Sequence, residues 1–248
     1  MSRTILPPEV WEKIWDQVDA DGLESAQNAS PAWNRIVLAY VASGRVRNRA
    51  RVCERLRLDS AGSAHLDHRR GIRNRVSVAV SAPVLLLGVG VYTERDEIIA
   101  DERANVTFDR TTDTVSIYTA EGKCAFEVER TSTTADLRKA IGDPGHIPHT
   151  MTVWAAAGNQ YCVLRPGESY EVEHNLRPTD VINHFSGWPV TVTGAEVWTC
   201  SGSGGEDRVT SHGVTFSFSE SSGPSRGGGR SRCCLREGQI PYLRFWKL

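Results

Sequence analysis

Few residues of this sequence have the types and spacing of a catalytic site. Gly88 and Gly90 follow an apolar run, as in a dinucleotide-binding turn, but Thr93 stands at the third glycine position and no helix is predicted after it. The sequence contains no Gly-x-Ser-x-Gly motif, no phosphate-binding loop and no His-Glu-x-x-His motif. We therefore predict no catalytic residue in this chain.

Two groups of histidines have the chemistry of metal ligands. His146 and His149 offer two imidazoles, but a metal site needs further ligands and nothing near them in the sequence is compelling. His174, His184 and Asp180 form a second, looser group. Histidines in a surface loop explain the first group better, and structural or solvent-facing side chains explain the second, so the sequence predicts no metal and no cofactor.

One pair of adjacent thiols lies in a basic environment. Cys233 and Cys234 are surrounded by Arg230, Arg232 and Arg236, and nearby positive charge favours the reactive thiolate form of a cysteine. A redox-reactive pair is therefore one hypothesis. Two unreactive thiols in a loop are the interpretation that we favour.

Without a catalytic site, the expected functional surface is the set of loops at the ends of a β domain. Exposed aromatic and arginine side chains commonly anchor protein interfaces. The candidates for binding a target protein are Tyr92, Arg95, Phe185 and Trp188, with the loop Gly223–Arg236 as a further candidate. For Phe185 and Trp188 the alternative is a place in the core at the end of a strand.

The bulk composition limits the class of protein. Hydrophobic residues make up 40% of the chain and charged residues 24%, as in an ordinary globular protein. A net charge of −1 argues against a general electrostatic attraction to nucleic acid or anionic lipid. There is no run of ~18 apolar residues, no secretory signal and no Cys-x-x-Cys pair. We expect a protein of the cytoplasm or nucleus that binds neither membranes nor nucleic acid.

Three short helices are predicted within residues 1–42. Val10 and Ile14 fall on one face of the first helix, one turn apart. Asp19 or Asp21 can cap the second helix, and Ser30 before a proline can cap the third. So small a helical unit needs a partner protein or a neighbouring domain to bury its apolar face.

Residues 43–71 are predicted to connect two domains. The segment is rich in arginine, namely Arg45, Arg47, Arg49, Arg51, Arg55 and Arg57. Its apolar residues, namely Val46, Val52, Leu56 and Leu58, could support a short helix against one of the domains. A solvated helix face that orients the domains is the favoured interpretation, and a basic patch for an acidic partner or nucleic acid is the alternative.

Residues 72–248 are predicted to form an antiparallel β-sandwich or jelly roll. The chain here is a series of short strands separated by Gly/Pro turns, which is typical of such folds. In Val214–Ser219 the apolar residues alternate with Ser and Thr, so one face of that strand is buried. Only Thr134–Ile141 indicates a helix.

The last predicted strand has large residues on both faces. In Ile240–Trp246, Leu243 and Phe245 point one way with Pro241, while Tyr242, Arg244 and Trp246 point the other way with Ile240. Both faces therefore need cover. We expect this segment to be docked into the fold.

The N-terminal region resembles an F-box. The motif Leu-Pro-x-Glu-Val-Trp-x-x-Ile-Trp is followed by Asp-x-Asp-x-Leu and by a helix with Ser-x-x-Trp-x-x-Ile. In that family the first helix inserts apolar side chains into the Skp adaptor of cullin–RING ubiquitin ligases. The resemblance assigns this role to Leu6, Pro7, Val10, Ile14, Trp15 and Trp33. The alternative is a helical cap that packs only on this chain's own β domain.

The remainder of the chain resembles a PHR domain, the β-sandwich module of Pam–Highwire-type ubiquitin ligases. Three motifs carry the resemblance in order: Pro83–Tyr92 with its Gly-x-Gly-x-Tyr, Gly213–Ser219, and Gly238–Trp246 with its Gly-Gln-Ile-Pro. The loop Gly223–Glu237 is longer and richer in glycine and arginine than the family pattern. Together the two resemblances imply a non-catalytic substrate adaptor of a ubiquitin ligase complex. The alternative function is a signalling or scaffold module with no ligase role.

Overall fold

The computed structural model describes residues 7–55, 61–65, 72–92, 106–108, 111–132, 134–143, 146, 150–155, 162–178, 181–183, 190–191, 196–200, 208–219 and 240–248. Within these residues the helices are α1 (Pro8–Trp15), α2 (Ala20–Ala29), α3 (Pro31–Ala42) and α4 (Thr134–Ile141). The strands are β1 (Arg51–Glu54), β2 (Ala61–His65), β3 (Ile72–Val80), β4 (Val84–Tyr92), β5 (Val106–Phe108), β6 (Thr111–Thr119), β7 (Cys124–Ser132), β8 (Thr150–Trp154), β9 (Cys162–Leu164), β10 (Ser169–Pro178), β11 (Val181–Asn183), β12 (Val190–Thr191), β13 (Glu196–Cys200), β14 (Arg208–Ser211), β15 (Val214–Ser219) and β16 (Tyr242–Lys247).

The three N-terminal helices begin where their capping residues predict. Pro8 is the first residue of α1, where its missing N–H costs no hydrogen bond. Of the two candidate caps for α2, Asp19 is the one used, because its carboxylate accepts from the Gly22 N–H at 2.8 Å. Ser30 Oγ accepts from the Trp33 N–H at 3.3 Å and caps α3.

Two antiparallel sheets form most of the β structure. One has the order β1-β16-β4-β8, with β9 also paired to β4, and we call it the five-stranded sheet. The other has the order β14-β15-β3-β10-β6-β7 and is the six-stranded sheet. Smaller sheets pair β12, β11 and β5, and β13 with β2. The prediction of a mainly β chain with antiparallel sheets, preceded by three short helices, is confirmed.

The two large sheets pack face to face over one apolar core, which we call the inner core. β16 contributes Leu243 and Phe245 from the five-stranded sheet, and β15 contributes Phe216 and Phe218 from the six-stranded sheet. The rings of Phe216 and Phe245 meet across the core with centroids 4.8 Å apart. The predicted inward face of β15 is therefore confirmed.

The opposite face of the five-stranded sheet is covered by the helices. Leu85, Leu87 and Trp246 on that face share a second core with helical residues that include Leu23 and Val37. The molecule thus has three layers, helices on a sheet on a second sheet. Trp246 connects the helical layer to the last strand.

A β-bulge in β4 changes which residues face the helices. Arg244 pairs with Gly88 and Phe245 pairs with Leu86, so Leu87 lies outside the regular register. The bulge places the glycines of the Gly-x-Gly-x-Tyr motif on the outer face. A Cβ on Gly90 would lie 2.6 Å from the Tyr242 ring, so only glycine lets that ring lie flat on β4.

The arginine-rich segment 43–71 has a different local structure from the predicted one. A 3-10 turn at Arg47–Arg49 leads into β1, where a short helix had been predicted. β1 pairs with β16 along its whole length, so this part of the segment belongs to the sheet. A strand forms here because the edge of β16 offers backbone partners, and Cys53 is buried in the inner core. The boundaries 1–42, 43–71 and 72–248 remain a prediction.

Among the described helices, none is both long and apolar enough to cross a bilayer.

Candidate partner-binding surface on the helices

A cluster of three tryptophans joins α1 to α3. Trp11 and Trp15 lie one turn apart on α1 and stack with ring centroids 5.7 Å apart. Trp33 of α3 meets both rings edge to face, at 4.9 Å from Trp11 and 5.4 Å from Trp15. Such aromatic pairs fix the relative orientation of two short helices.

Polar contacts hold the C-terminal end of α1. Arg49 donates to the Trp15 carbonyl at 2.7 Å and also to the Val18 carbonyl, so it caps the end of the helix. Tyr40 donates to Asp16 Oδ1 at 2.6 Å and accepts from Arg49 at 2.6 Å. Burial raises the pKa of the Tyr40 phenol, and the hydrogen bond to Asp16 raises it further against the opposing charge of Arg49. The phenol therefore stays protonated and keeps its donor role at neutral pH.

The helical layer is also bonded to the last strand. Trp246 Nε1 donates to Gln27 Oε1 at 2.6 Å, and Gln27 Nε2 donates to the Lys247 carbonyl at 3.1 Å. Gln27 is buried, so both halves of its amide are satisfied away from water. These two bonds fix α2 on the sheet in one position.

Large apolar side chains remain exposed on the same helical layer. In the part of the chain that the structure describes, they are Val10 at 39%, Ile14 at 38% and Ile36 at 37% exposure. Val10 and Ile14 share one face of α1, and Ile36 lies one turn beyond Trp33 on α3. The sheets expose no comparable side chain among their described residues. Contiguous apolar patches mark binding sites, and Val10 with Ile14, one turn apart on α1, is the candidate for such a patch here.

The predicted adaptor-binding residues that the structure describes divide into three groups. Pro7, Val10 and Ile14 are exposed, as an inserting surface requires. Trp15 is only 5% exposed and packs in the core between helices and sheet, so its side chain is not available to another chain in this structure. Trp33 is half-buried because it meets Trp11 and Trp15. Leu6 lies outside the described residues.

Ile36 is the exposed apolar residue that the sequence did not single out. It belongs to the motif Ser-x-x-Trp-x-x-Ile but is not among the residues to which the F-box resemblance assigns adaptor contacts. Adjacent helical residues point about 100° apart, so Ile36 and Val37 cannot both face the sheet. Val37 is fully buried, and Ile36 is therefore the one left outside.

The predicted target-binding loops contribute little to the described structure. Tyr92 is the last residue of β4 and pairs with Thr150 of β8. Arg95, Phe185, Trp188 and the loop Gly223–Arg236 lie outside the described residues.

The histidine and cysteine candidates are not brought together where the structure describes them. His174 is 2% exposed on β10, so of the two roles expected for it, structural or solvent-facing, the solvent-facing one is wrong. His146 follows α4 at a half-buried position. The described residues contain no cluster of ligating side chains that could hold a metal ion. Among the candidates outside the described residues are His149, Asp180, His184, Cys233 and Cys234.

In segment 43–71, the arginines at positions 45, 47 and 51 contact this chain's own groups. Arg45 pairs with Glu12 at 3.1 Å and with Asp16 at 3.3 Å, and Arg51 pairs with Glu24 at 3.0 Å. Arg47 donates to the Ala155 carbonyl at 3.0 Å. These contacts orient the helices on the sheet, as the favoured interpretation expects, but the arginines lie on a turn and a strand and not on a helix face.

An open groove of about 400 Å³ lies between the start of α2 and the turn at His212. Its charged lining residues are already engaged, because Asp19 caps α2 and Arg51 pairs with Asp21 and Glu24. Few charged groups of the groove are therefore left to bind a ligand, and the exposed apolar residues of α1 and α3 are the better candidate for a binding surface.

No family model matches the sequence, and a search of curated proteins finds no match. The F-box and PHR resemblances thus depend on the quoted motifs.

Proposed function

We propose that the chain is the substrate-recognition adaptor of an SCF-type cullin–RING ubiquitin ligase. In this proposal the N-terminal helices dock on the Skp adaptor in the manner of an F-box, and the β domain, of the PHR or jelly-roll type, binds a target protein. The chain itself does no chemistry. It raises the local concentration of the target near the ubiquitin-conjugating enzyme.

The exposure of Val10 and Ile14 is the observation that carries this proposal. The F-box resemblance assigns adaptor contacts to these residues, and among the described residues exposed large apolar side chains occur on the helices only. Ile36 adds one exposed apolar side chain on α3. Burying three such side chains against a partner stabilises a complex by several kcal/mol, on the order of 1–2 kcal/mol each.

The burial of Trp15 changes the details of the docking model. Trp15 and Trp33 hold α1 against α3, so they position the docking surface and do not insert into the adaptor themselves. The surface that meets the adaptor then consists of Pro7, Val10 and Ile14 with Ile36.

A second candidate function is a scaffold module with no ligase role. The observation in its favour is the core that the helices share with the five-stranded sheet, since Leu23, Val37 and Trp15 bury their side chains on this chain's own Leu85 and Trp246. In that case the helices are a cap on the β domain and the exposed residues bind some other protein.

Co-purification with a Skp-type adaptor distinguishes these two functions. We expect the double substitution Val10→Asp with Ile14→Asp to reduce adaptor binding at least about tenfold, because two charges would enter an apolar interface. A control with Asn28→Asp and Asn48→Asp adds the same charge at exposed positions outside α1 and α3 and should bind normally.

Substitution of Trp15 is not a suitable test, because this side chain supports the fold. Wild-type adaptor recovery with the Val10/Ile14 double variant would reject the docking model. Failure of the unaltered chain to bind any Skp-type adaptor would leave the scaffold function as the better conclusion.

A further inference from the structure

The outer strands of the two large sheets differ in how well their free edges are protected. β1 and β14 lie at one side, where Ser211 Oγ of β14 donates to the Val52 carbonyl of β1 at 2.7 Å. At the other side β8 is almost completely buried. β9, which pairs with β4 alone among the described strands, is only three residues long. Of the described outer strands of these sheets, β7 is then the one left, and its side chains at Ala125, Glu127 and Glu129 are exposed.

β7 has the backbone of a strand that can accept another strand. Phe126–Ser132 pair without interruption with Thr111–Ile117 of β6, and among the described strands β6 is the one that pairs with β7. Natural edge strands are protected by shortness, proline, charged side chains, an inward-pointing charge or a bulge. β7 contains no proline, and its register shift lies near Cys124, at one end, so its protection consists of charges, namely Glu127, Glu129 and the inward-pointing Arg130. The rest of the edge is long and regular.

The two faces of β7 are chemically distinct. Phe126 and Val128 point to the inner core, and Arg130 on the same side donates to the Thr152 carbonyl at 3.0 Å. Glu127 and Glu129 point to the opposite, solvent-facing side. Val128 is only partly buried, so a neighbouring apolar side chain would still find surface to cover.

The carboxylates of β7 have no basic residue opposite them on β6. Glu129 is paired with Thr114, and Glu127 is paired with Ser116. Ser116 Oγ donates to Glu127 Oε2 at 3.0 Å and holds that carboxylate in place. The solvent-facing side of the edge is therefore acidic and partly preorganised.

This charge pattern disfavours a second copy of the chain as the occupant. An antiparallel pair of two β7 strands centred on Val128 would set Glu127 against Glu129, and a pair centred on either glutamate would set it against itself. Like charges directly opposite one another destabilise a strand pair. A strand with basic residues at alternate positions avoids this repulsion.

We propose that the free edge of β7 binds an extended peptide segment of another protein as an added strand, with Lys or Arg alternating with apolar residues. The basic side chains meet Glu127 and Glu129, and the apolar side chains cover Val128. Backbone hydrogen bonds supply affinity, and the alternation supplies specificity. The inference concerns the six-stranded sheet and does not depend on adaptor docking by the helices.

Fluorescence anisotropy with the full chain tests this assignment. The probe is a labelled peptide of about seven residues, within the usual length of a strand, in which lysine alternates with valine. A matched peptide with glutamate in place of lysine should bind at least about tenfold more weakly, since its charges repel those of the edge. Of two versions N-methylated at alternate residues, the one whose blocked nitrogens face β7 should lose binding.

Substitutions in the chain complete the test. Glu127→Gln with Glu129→Gln should weaken binding of the lysine peptide roughly three- to tenfold, the range expected for two exposed ion pairs. Glu9→Gln with Glu54→Gln removes two exposed carboxylates elsewhere and should leave binding unchanged. Equal binding of both peptides, or an unchanged affinity of the β7 variant, would overturn the proposal. So would a dimer of the chain that only β7 substitutions dissociate, because the edge would then belong to a second copy.

Discussion

The two faces of the five-stranded sheet are packed by different means. The inner face meets the six-stranded sheet mainly through apolar side chains, with Phe245 against Phe216 near the centre. The outer face meets the helices through a smaller apolar core to which specific polar contacts are added, such as Trp246 with Gln27. The two sheets are therefore held together mainly by the apolar area that they bury. The helices are held in one orientation by a few specific hydrogen bonds.

The largest effect is expected from a cavity in the inner core. Phe245 is completely buried, so Phe245→Ala should lower the free energy of unfolding by about 3–5 kcal/mol. Urea unfolding followed by far-UV circular dichroism measures this change. A loss below about 1 kcal/mol would show that apolar packing in the inner core is not the main source of stability.

A smaller effect is expected from steric crowding on the outer face. In Gly90→Ala the new Cβ would lie 2.6 Å from the Tyr242 ring, which is buried and cannot move away. We expect a loss of roughly 2–3 kcal/mol in the same unfolding measurement. The matched control is Gly142→Ala, whose Cβ would meet no atom closer than 3.6 Å and which should change stability little.

The loss of one directed bond should be felt mainly in the helices. Trp246→Phe keeps an aromatic ring but removes the indole donor, so the oxygen of the buried Gln27 amide loses its hydrogen bond. We expect about 1–2 kcal/mol of destabilisation. In hydrogen–deuterium exchange the amides of α2 should exchange faster while those of β15 stay protected. Equal acceleration in both regions would remove the distinction between the two faces.

The smallest effect on stability at neutral pH is expected from the two buried thiols, because they ionise only at alkaline pH. Burial raises the pKa of Cys53 from 9.0 to about 12, against a smaller lowering by Arg55, and burial raises the pKa of Cys162 from 9.0 to about 11. In the unfolded chain both thiols ionise near their ordinary value. The contribution of the two protonated thiols to the free energy of unfolding is therefore complete below about pH 9. It is lost progressively as the pH rises towards 11 and 12.

Urea unfolding at several pH values checks this dependence. Stability should fall as the pH is raised from about 8 to about 10.5, and Cys53→Ala should make that decline shallower. A decline of the same slope in the variant would show that the inner core does not keep the Cys53 thiol protonated.

Local patterns in the sequence predicted much of the secondary structure. The caps at Asp19 and Ser30, the helix Thr134–Ile141 and the alternation in Val214–Ser219 depend on neighbouring residues only, and the structure confirms them. The last strand follows its predicted alternation from Tyr242 onwards. Ile240 departs from it and joins the inner core, because it precedes the strand and is not bound by its period.

Features that depend on distant residues could not be predicted in this way. The arginine-rich segment formed β1 instead of a helix because β16, far away in sequence, offered it an edge. The side on which Trp15 lies was not predictable either, since the sheet that buries it is formed by β4 and β16. The candidate surface was therefore predicted at Val10 and Ile14, where local periodicity decides, and less well at Trp15 and Ile36.

The position of β16 between β1 and β4 has a consequence for synthesis. The ribosome delivers this strand after all the others described, so the middle of its sheet stays open until then. The inner core lacks Leu243 and Phe245 during that time, and the helices lack the tryptophan on which they rest. A nascent chain that stops short of Tyr242 would expose the apolar residues of both incomplete cores. Quality-control factors would therefore recognise it as an unfolded polypeptide.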